Sequence, residues 1–203
     1  MQELTKSIHS RLKDIRYTNR YFVGKGIDIG GAPDPLFAWK EIFPFMESCK
    51  TWDLDDGDGQ YLDDVDDNFY DFVHSSHCLE HMNDPKVALK NWWRVFKPGG
   101  HMICTVPDED LYEQGIWPSM NPGHKWSLTV SKEQSWSPKS LNILDLVKNL
   151  GTDVEIKKIE VQDASYRYDL KDYYLKHKGK PLDQTQSGAE SCIEFILQKK
   201  KHN

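Results

Sequence analysis

Lys25-Gly26-Ile27-Asp28-Ile29-Gly30-Gly31-Ala32-Pro33 is the stretch that decides the fold. It reads as a short apolar strand ending in a glycine turn, where a ligand can approach backbone that carries no Cβ. In an open α/β sheet such a turn lies at the carboxyl ends of the strands, where ligands bind. The glycines fall at Gly26, Gly30 and Gly31, so the GxGxxG fingerprint of nicotinamide binding is absent. The P-loop pattern is absent as well. Without a phosphate cradle, the loop suits a nucleoside ligand that lacks a pyrophosphate. A plain glycine turn would explain the stretch if it stood alone.

It does not stand alone. Residues 37–45 read as helical, stopped near Pro44. Cys49-Lys50-Thr51-Trp52 reads as a second strand and ends on Asp53, 23 residues after Gly30. A carboxylate at that place can accept both hydroxyls of a ribose, because its two oxygens match a vicinal diol. The acidic run 53–60 superficially resembles a calcium loop. Asp63 stands where the bidentate Glu and the exiting helix should be, which argues against calcium. Residues 69–75 form a third strand. Asp84 is the expected N-cap of a helix with Pro85 at its first position, and Val87, Trp92, Val95 and Phe96 belong to its apolar side. Lys97-Pro98-Gly99-Gly100 ends that helix, and residues 101–106 form the next strand. Strand and helix alternate, which predicts an α/β fold: a Rossmann-like, mostly parallel sheet with helices on both faces.

Toward the N-terminus, Leu4, Ile8, Leu12 and Ile15 recur at helical spacing, with Lys6, Arg11, Lys13 and Arg16 on the other side. This predicts an amphipathic helix over 1–20, packed on the domain edge. Membrane-surface binding is the sharper alternative, disfavoured because bulky interfacial aromatics are missing. Toward the C-terminus, a capped helix is expected over 137–151. Strands at 154–161 and 192–197, with no helix-length pattern between them, are expected to pair antiparallel. Two long connections, 108–136 and 162–190, exceed the usual loop length. Both are rich in rings and hydrogen-bonding groups, as lids over a polar ligand would be.

The chain has 203 residues, 38% hydrophobic and 29% charged, and reads as a single globular domain with residues 24–107 as its core. No apolar stretch approaches the roughly 20 residues of a membrane span, and no secretory signal is visible. Four scattered cysteines without a CxxC pair exclude a disulfide scaffold and a zinc-finger framework, and fit a reducing cytoplasm. Lys and Arg number 26 against 32 Asp and Glu, a net charge of −6, which argues against a nucleic-acid partner. The oligomeric state stays open.

At this point the chain resembles the class I S-adenosylmethionine-dependent methyltransferases of the small-molecule type. Residues 26–32, Gly-Ile-Asp-Ile-Gly-Gly-Ala, look like motif I of that family. Asp53 matches its acidic ribose ligand, and Gly57-Asp58-Gly59-Gln60 looks like the segment that contacts adenine. The most specific part is residues 70–81, then Asn83-Asp84-Pro85, then Arg94-Val95-Phe96-Lys97-Pro98-Gly99-Gly100. The likeness covers about residues 24–107. It implies S-adenosylmethionine as cofactor, S-adenosylhomocysteine as product, and Asp28, Gly30, Gly31, Asp53, Asp58, Gly59, Ser75 and Ser76 as cofactor-binding residues. Two departures stand out. Ala32 and Pro33 replace the usual third glycine, and only 17 residues separate Asp53 from Asp71, too few for the usual helix plus strand.

In this fold the position after the 72–75 strand faces the transferred methyl. Amino-base N-methyltransferases carry Asn/Asp-Pro-Pro-Tyr/Phe there, whereas this chain has Ser76-His77-Cys78-Leu79. That argues against DNA or glutamine N-methylation and makes His77 the first candidate for a catalytic base. His124 is the second, and His81, four residues after His77, the third. His77, His81 and His124 together also read as a metal site; the histidine-base reading is preferred and no metal is assigned. Glu80 reads as structural. Asp108, Glu109, Trp117, Trp126, Tyr166 and Tyr168 are the expected acceptor-binding residues. The resulting expectation is O-methylation of a small polar acceptor: a sugar, a nucleotide-linked or a phosphorylated metabolite, with bacterial surface polysaccharide biosynthesis as a resemblance-level hint. Small-amine N-methylation and a non-catalytic cofactor-binding subunit are the alternatives.

Overall fold

The computed structural model describes residues 2–201. Met1, His202 and Asn203, which fall within the expected 1–20 helix and 1–203 domain, lie outside the described residues. The strands are β1 (Gly24–Ile29), β2 (Met46–Trp52), β3 (Tyr70–Ser76), β4 (Phe96–Pro107), β5 (Ser127–Thr129), β6 (Ser140–Asn142), β7 (Val154–Gln162) and β8 (Cys192–Lys199). The helices are α1 (Glu3–Arg11), α2 (Pro85–Arg94), α3 (Ile143–Lys148) and α4 (Tyr168–Lys178). Six strands make one sheet in the order β2-β1-β3-β4-β8-β7, and β5 pairs with β6 apart from it. β1, β2, β3 and β4 run parallel, whereas β8 is antiparallel to both β4 and β7. This is the mostly parallel sheet with an antiparallel C-terminal pair that the sequence predicts.

Alternation along the strands sends side chains to two faces. Val73, Met102, Cys104, Phe195 and Leu197 join a core covered by α2 and α3. Phe72, Ile103 and Ile196 join a second core with Leu4 and Ile8 of α1, Tyr17, Phe22, Leu36 and Phe43. Helix α2 starts as its sequence dictates: Asp84 Oδ1 accepts from the Lys86 and Val87 amides at 2.9 and 3.2 Å, with Pro85 at the first position. Trp92, Val95 and Phe96 are buried as expected, and Val87 is half-buried. Trp92 donates through Nε1 to the Gly59 carbonyl at 2.7 Å, tying the helix to the acidic loop.

The N-terminal segment departs from expectation. Its helix ends at Arg11, and a separate π-turn spans Tyr17–Tyr21. Leu4 and Ile8 are buried, but Leu12 is exposed and Ile15 is 71% exposed. Two residues of the expected polar side, Lys6 and Arg11, point inward instead. Arg11 Nη2 pairs with Glu194 Oε2 at 3.0 Å, and both side chains are 1% exposed. Tyr17 and Lys158 also bond to Glu194 Oε1. Burial alone would raise the Glu194 carboxyl; Arg11 and Lys158 beside it hold it below the usual carboxylate range. A long-range partner on β8 thus overrides the local amphipathic pattern.

The C-terminal third departs twice. The helix expected over 137–151 shrinks to Ile143–Lys148, because Ser140–Asn142 pairs with Ser127–Thr129, and Asn142 then caps α3 through the Leu144 amide at 2.8 Å. The connection 162–190 contains the eleven-residue helix α4, where the sequence shows no helix-length pattern. None of its residues is buried, so it carries no apolar stripe for periodicity to detect.

The connection between β2 and β3 holds only the 3₁₀ turn Leu54–Asp56, and the sheet ends at β2. Among the described residues no α-helix covers this corner; the 3₁₀ helix Leu36–Ile42 reaches it through Phe37. A cavity of about 810 Å³ is left open, lined by Phe37, Cys49, Trp52, Val65, Phe69 and Tyr70 among others.

Candidate active site

The strand register builds the site. Ile29 lies opposite both Trp52 and Ser75, so the chain leaves β1, β2 and β3 side by side at Gly30, Asp53 and Ser76. A crevice of about 270 Å³ opens there, lined by Asp28, Gly30, Gly31, Ala32, Pro33, Asp34, Ser76 and His77, with Gln2, Glu3 and Leu4 of the N-terminal segment across it. It falls just below the range of about 300–1,000 Å³ usual for small-molecule pockets. Helix α1 is fastened over it. The Thr5 amide and hydroxyl both donate to Asp34, at 2.8 and 2.9 Å, and Lys6 Nζ reaches the Thr185 and Ala189 carbonyls at 3.3 Å. Nothing in the local pattern marks the first turn of the N-terminal helix as the wall of a pocket.

The two glycines are needed by the loop itself. Gly30 has φ +73, and a Cβ there would stand 2.5 Å from Cys78 Sγ; one on Gly31 would stand 2.3 Å from Asp28 Oδ2. Asp53 accepts the Ala32 amide at 3.0 Å and the Leu54 amide at 2.9 Å. Each oxygen thus takes one donor and keeps a further lone pair, in a half-buried position. Gly59 packs near Ile29 and Met82, while exposed Asp58 holds the local turn through the Gln60 amide.

Three expected cofactor residues or acceptor ligands prove to be internal fasteners. Asp28 is buried; its Oδ2 accepts the Leu36 amide at 2.7 Å and its Oδ1 the Nδ1–H of His74 at 2.6 Å. Ser75 is buried and donates to the Ile29 carbonyl at 3.0 Å, stitching β3 to β1. Glu109 is buried and receives Ser127, Lys132, Ser135 and Ser140, the last at 2.6 Å. The same holds for two more. Asp108 caps the π-turn Glu109–Glu113 through the Asp110 and Leu111 amides, and burial pushes its carboxyl up to about 6. Tyr166 is buried and donates to the Leu111 carbonyl at 2.7 Å. In each case the polar group expected to meet a ligand already meets the protein. Exposed Tyr168 bonds Asp163 at 2.7 Å. Trp126 donates to the Met82 carbonyl at 3.0 Å, so the 108–136 connection folds onto the turn after β3, and Trp117 is half-buried within that connection.

The three histidines do come together, around an acid read from the sequence as structural. Glu80 is fully buried, and neither of its oxygens has a hydrogen-bond partner among the described residues. His77 Nδ1 lies 3.7 Å from Glu80 Oε1, and His81 Nε2 and His124 Nε2 each lie 3.8 Å from it. His81 Nδ1 faces the Gly123 carbonyl at 2.8 Å, and His124 Nδ1 faces Glu113 Oε1 at 2.8 Å. Glu113 is a residue that no local signal picks out: eleven positions before His124, it arrives through the π-turn. His77 sits at φ +53 between this cluster and the crevice, with Nε2 3.4 Å from Glu3 Oε2. Burial pushes the His77 imidazole down to about 3 and the Glu80 carboxyl up to about 7. Burial thus favours the neutral form of the His77 ring.

The residues of the crevice fit a nucleoside-bearing cofactor: a glycine pair with no side chain to block approach, and a carboxylate with spare lone pairs at the end of β2. A family model described as "Methyltransferase domain" matches residues 8–155, well over half of the chain. The chain belongs to this methyltransferase family. It depends on S-adenosylmethionine. A solved methyltransferase from Archaeoglobus fulgidus, dependent on the same cofactor, superposes with a TM-score of 0.59 at 17% identity, covering 97% of this methyltransferase and 94% of that chain. The Haemonchus contortus phosphoethanolamine N-methyltransferase 2, solved with phosphomonomethylethanolamine and S-adenosylhomocysteine, gives 0.54 at 14% identity, over 95% and 53% of the two chains. At these identities the likeness is one of fold. An uncharacterised methyltransferase of Schizosaccharomyces pombe is 38% identical over 52 residues, which is 26% of this chain but only 18% of the yeast protein's length.

Proposed function

We propose that this methyltransferase methylates a small polar acceptor through a hydroxyl oxygen presented at the cluster around Glu80. When bound, S-adenosylmethionine supplies an electrophilic methyl group on sulfur. The chain's residues then have three tasks. Asp53, Gly30 and Gly31, with Ser76, Asp58 and Gly59 nearby, hold the cofactor in the crevice, and α1 shields it from water. His77, shared by crevice and cluster, marks where the methyl meets the acceptor; as the oxygen–methyl bond forms and the sulfur–methyl bond breaks, the hydroxyl proton passes to the unpartnered acceptors of the Glu80 cluster. The 108–136 connection, pinned by Trp126, forms the acceptor's wall, and Trp117 and Tyr168 stand on the two lid segments.

One observation carries the reading: the cluster is made of acceptors that lack donors. Both Glu80 oxygens and Glu113 Oε2 are buried without partners among the described residues. A group entering here should bring hydrogen or positive charge, as a hydroxyl or an amine does and an ionised phosphate or carboxylate does not. A phosphate or nucleotide elsewhere on the acceptor is compatible with this. The second reading, N-methylation of a small amine, draws on the same acids, Glu80 and Glu113. A cytoplasmic location belongs to the proposal; all four cysteines are unpaired, as in a reducing compartment. No helix among the described residues is long and apolar enough to cross a membrane.

The test is transfer of a labelled methyl group into a panel of sugars, nucleotide-linked sugars, phosphorylated metabolites and simple amines, with the new bond located by mass spectrometry. An oxygen–methyl product supports the proposal. A nitrogen–methyl product moves it to the second reading, and cofactor binding without transfer to any acceptor favours a non-catalytic subunit.

A further inference from the structure

Glu80 poses a chemical problem. A carboxylate sealed from water and offered no donor is strongly disfavoured. The three imidazole nitrogens around Oε1, at 3.7–3.8 Å, are too distant for hydrogen bonds. Two of these rings have committed their other nitrogen. His81 Nδ1 donates to a backbone carbonyl and His124 Nδ1 to a carboxylate. In the neutral ring the proton therefore sits on Nδ1, and Nε2 carries a lone pair. With both rings neutral and Glu80 ionised, the two lone pairs and the carboxylate would face one point with no hydrogen among them.

We propose that Glu80, His81 and His124 form a binding site for a divalent first-row transition ion of the Zn²⁺ class. Their ligand atoms lie within 4.8 Å of one another. Two histidines and one carboxylate, with coordination positions left over, are a donor set that such ions take. Ligand bonds of about 2.0–2.2 Å place donors roughly 3.4 Å apart in a tetrahedron, so the two 3.8 Å contacts to Glu80 need a contraction of a few tenths of an ångström, and the two ring nitrogens, within 4.8 Å of each other, must close to the same spacing. The His81 side chain, 38% exposed, has room to move, and it gives the ion a route from solvent. The Gly123 carbonyl and the Glu113 carboxylate occupy the positions from which ligating imidazoles are usually oriented. Mg²⁺ and Ca²⁺, which prefer all-oxygen shells, should bind less well.

The inference deepens the proposed function: the acceptor oxygen would take an open coordination position on the ion, and Glu80, His81 and His124 would serve as the ion's ligands. It rests on that reading for the ion's purpose alone; the binding can be read without turnover. The simpler alternative is that Glu80 keeps its own proton, and burial does raise its carboxyl.

The experiment is titration of the chelator-stripped protein with Zn²⁺ by calorimetry and with Co²⁺ by visible absorption. One ion per chain is expected, with visible Co²⁺ bands and affinity at least tenfold weaker in Glu80→Gln, His81→Ala and His124→Ala. His177→Ala, on α4, should leave affinity unchanged. If the two buried substitutions prevent folding, His81→Ala decides alone. No binding to the wild type, or equal affinity in the cluster variants, overturns the site. Methyl transfer by a protein that binds no ion overturns this inference and leaves the proposed function standing. An ion at the cluster without any methyl transfer does the reverse.

Discussion

His124 Nδ1 and Glu113 Oε1 lie 2.8 Å apart, with both side chains shut away from solvent. The contact fixes the ring so that Nε2 faces Glu80. Whether the cluster takes a proton or an ion, this orientation decides its strength. Removing such an orienting partner typically costs about 10–100-fold in activity or metal affinity. Glu113→Ala should therefore lower kcat by that factor and leave the Kd for S-adenosylhomocysteine near the wild-type value. Parallel kinetics and calorimetry check it; a large loss of cofactor affinity with kcat intact would contradict it.

Asp53 makes the opposite prediction. It stands at the end of β2 beside the glycine pair, away from the histidines. Asp53→Ala should weaken S-adenosylhomocysteine binding by about 1.5–3 kcal/mol, the range for a hydrogen bond to a charged group. Undiminished binding would move the ribose elsewhere.

Arg11 and Glu194 form a buried ion pair between α1 and β8. Breaking such a pair by removing one partner typically costs about 3–5 kcal/mol, because the remaining charge stays buried. Arg11→Ala should lose stability on that scale in chemical denaturation. Because α1 also lies across the crevice, its cofactor affinity should fall too, more than in a variant of an exposed residue such as Arg16→Ala.

His101 supplies a pH dependence. Burial holds its imidazole down to about 4 in the folded chain, against about 6.5 when unfolded. Between these values the unfolded chain binds the proton and the folded chain does not. The contribution of His101 to stability is thus intact above about pH 6.5 and is lost as pH falls to about 4. His101→Gln should show a shallower fall of Tm across that window; an unchanged slope would place the titration elsewhere.

The strands and α2 were legible because their signals are local: alternating apolar runs, Asp84 before Pro85, glycines after Ile29. The meeting of His77, His81 and His124 was legible in part, since two of them share one turn after β3. Glu113 was not, because only the fold of the 108–136 connection brings it to His124. Arg11 read as a solvated charge because its partner lies on β8, far along the chain. Asp28, Ser75, Asp108, Glu109 and Tyr166 read as ligand contacts because a sequence shows a polar group without showing which backbone amide or side chain already satisfies it. Helix α4 was hidden by having no buried face.

The central claim is that cofactor and acceptor meet at the carboxyl ends of β1, β2 and β3, with His77 between them. A crystal structure with S-adenosylhomocysteine tests it most directly. The ribose hydroxyls should lie on Asp53 and the sulfur should point toward His77. S-adenosylhomocysteine bound instead in the larger cavity lined by Trp52, Phe69 and Tyr70 would contradict the account.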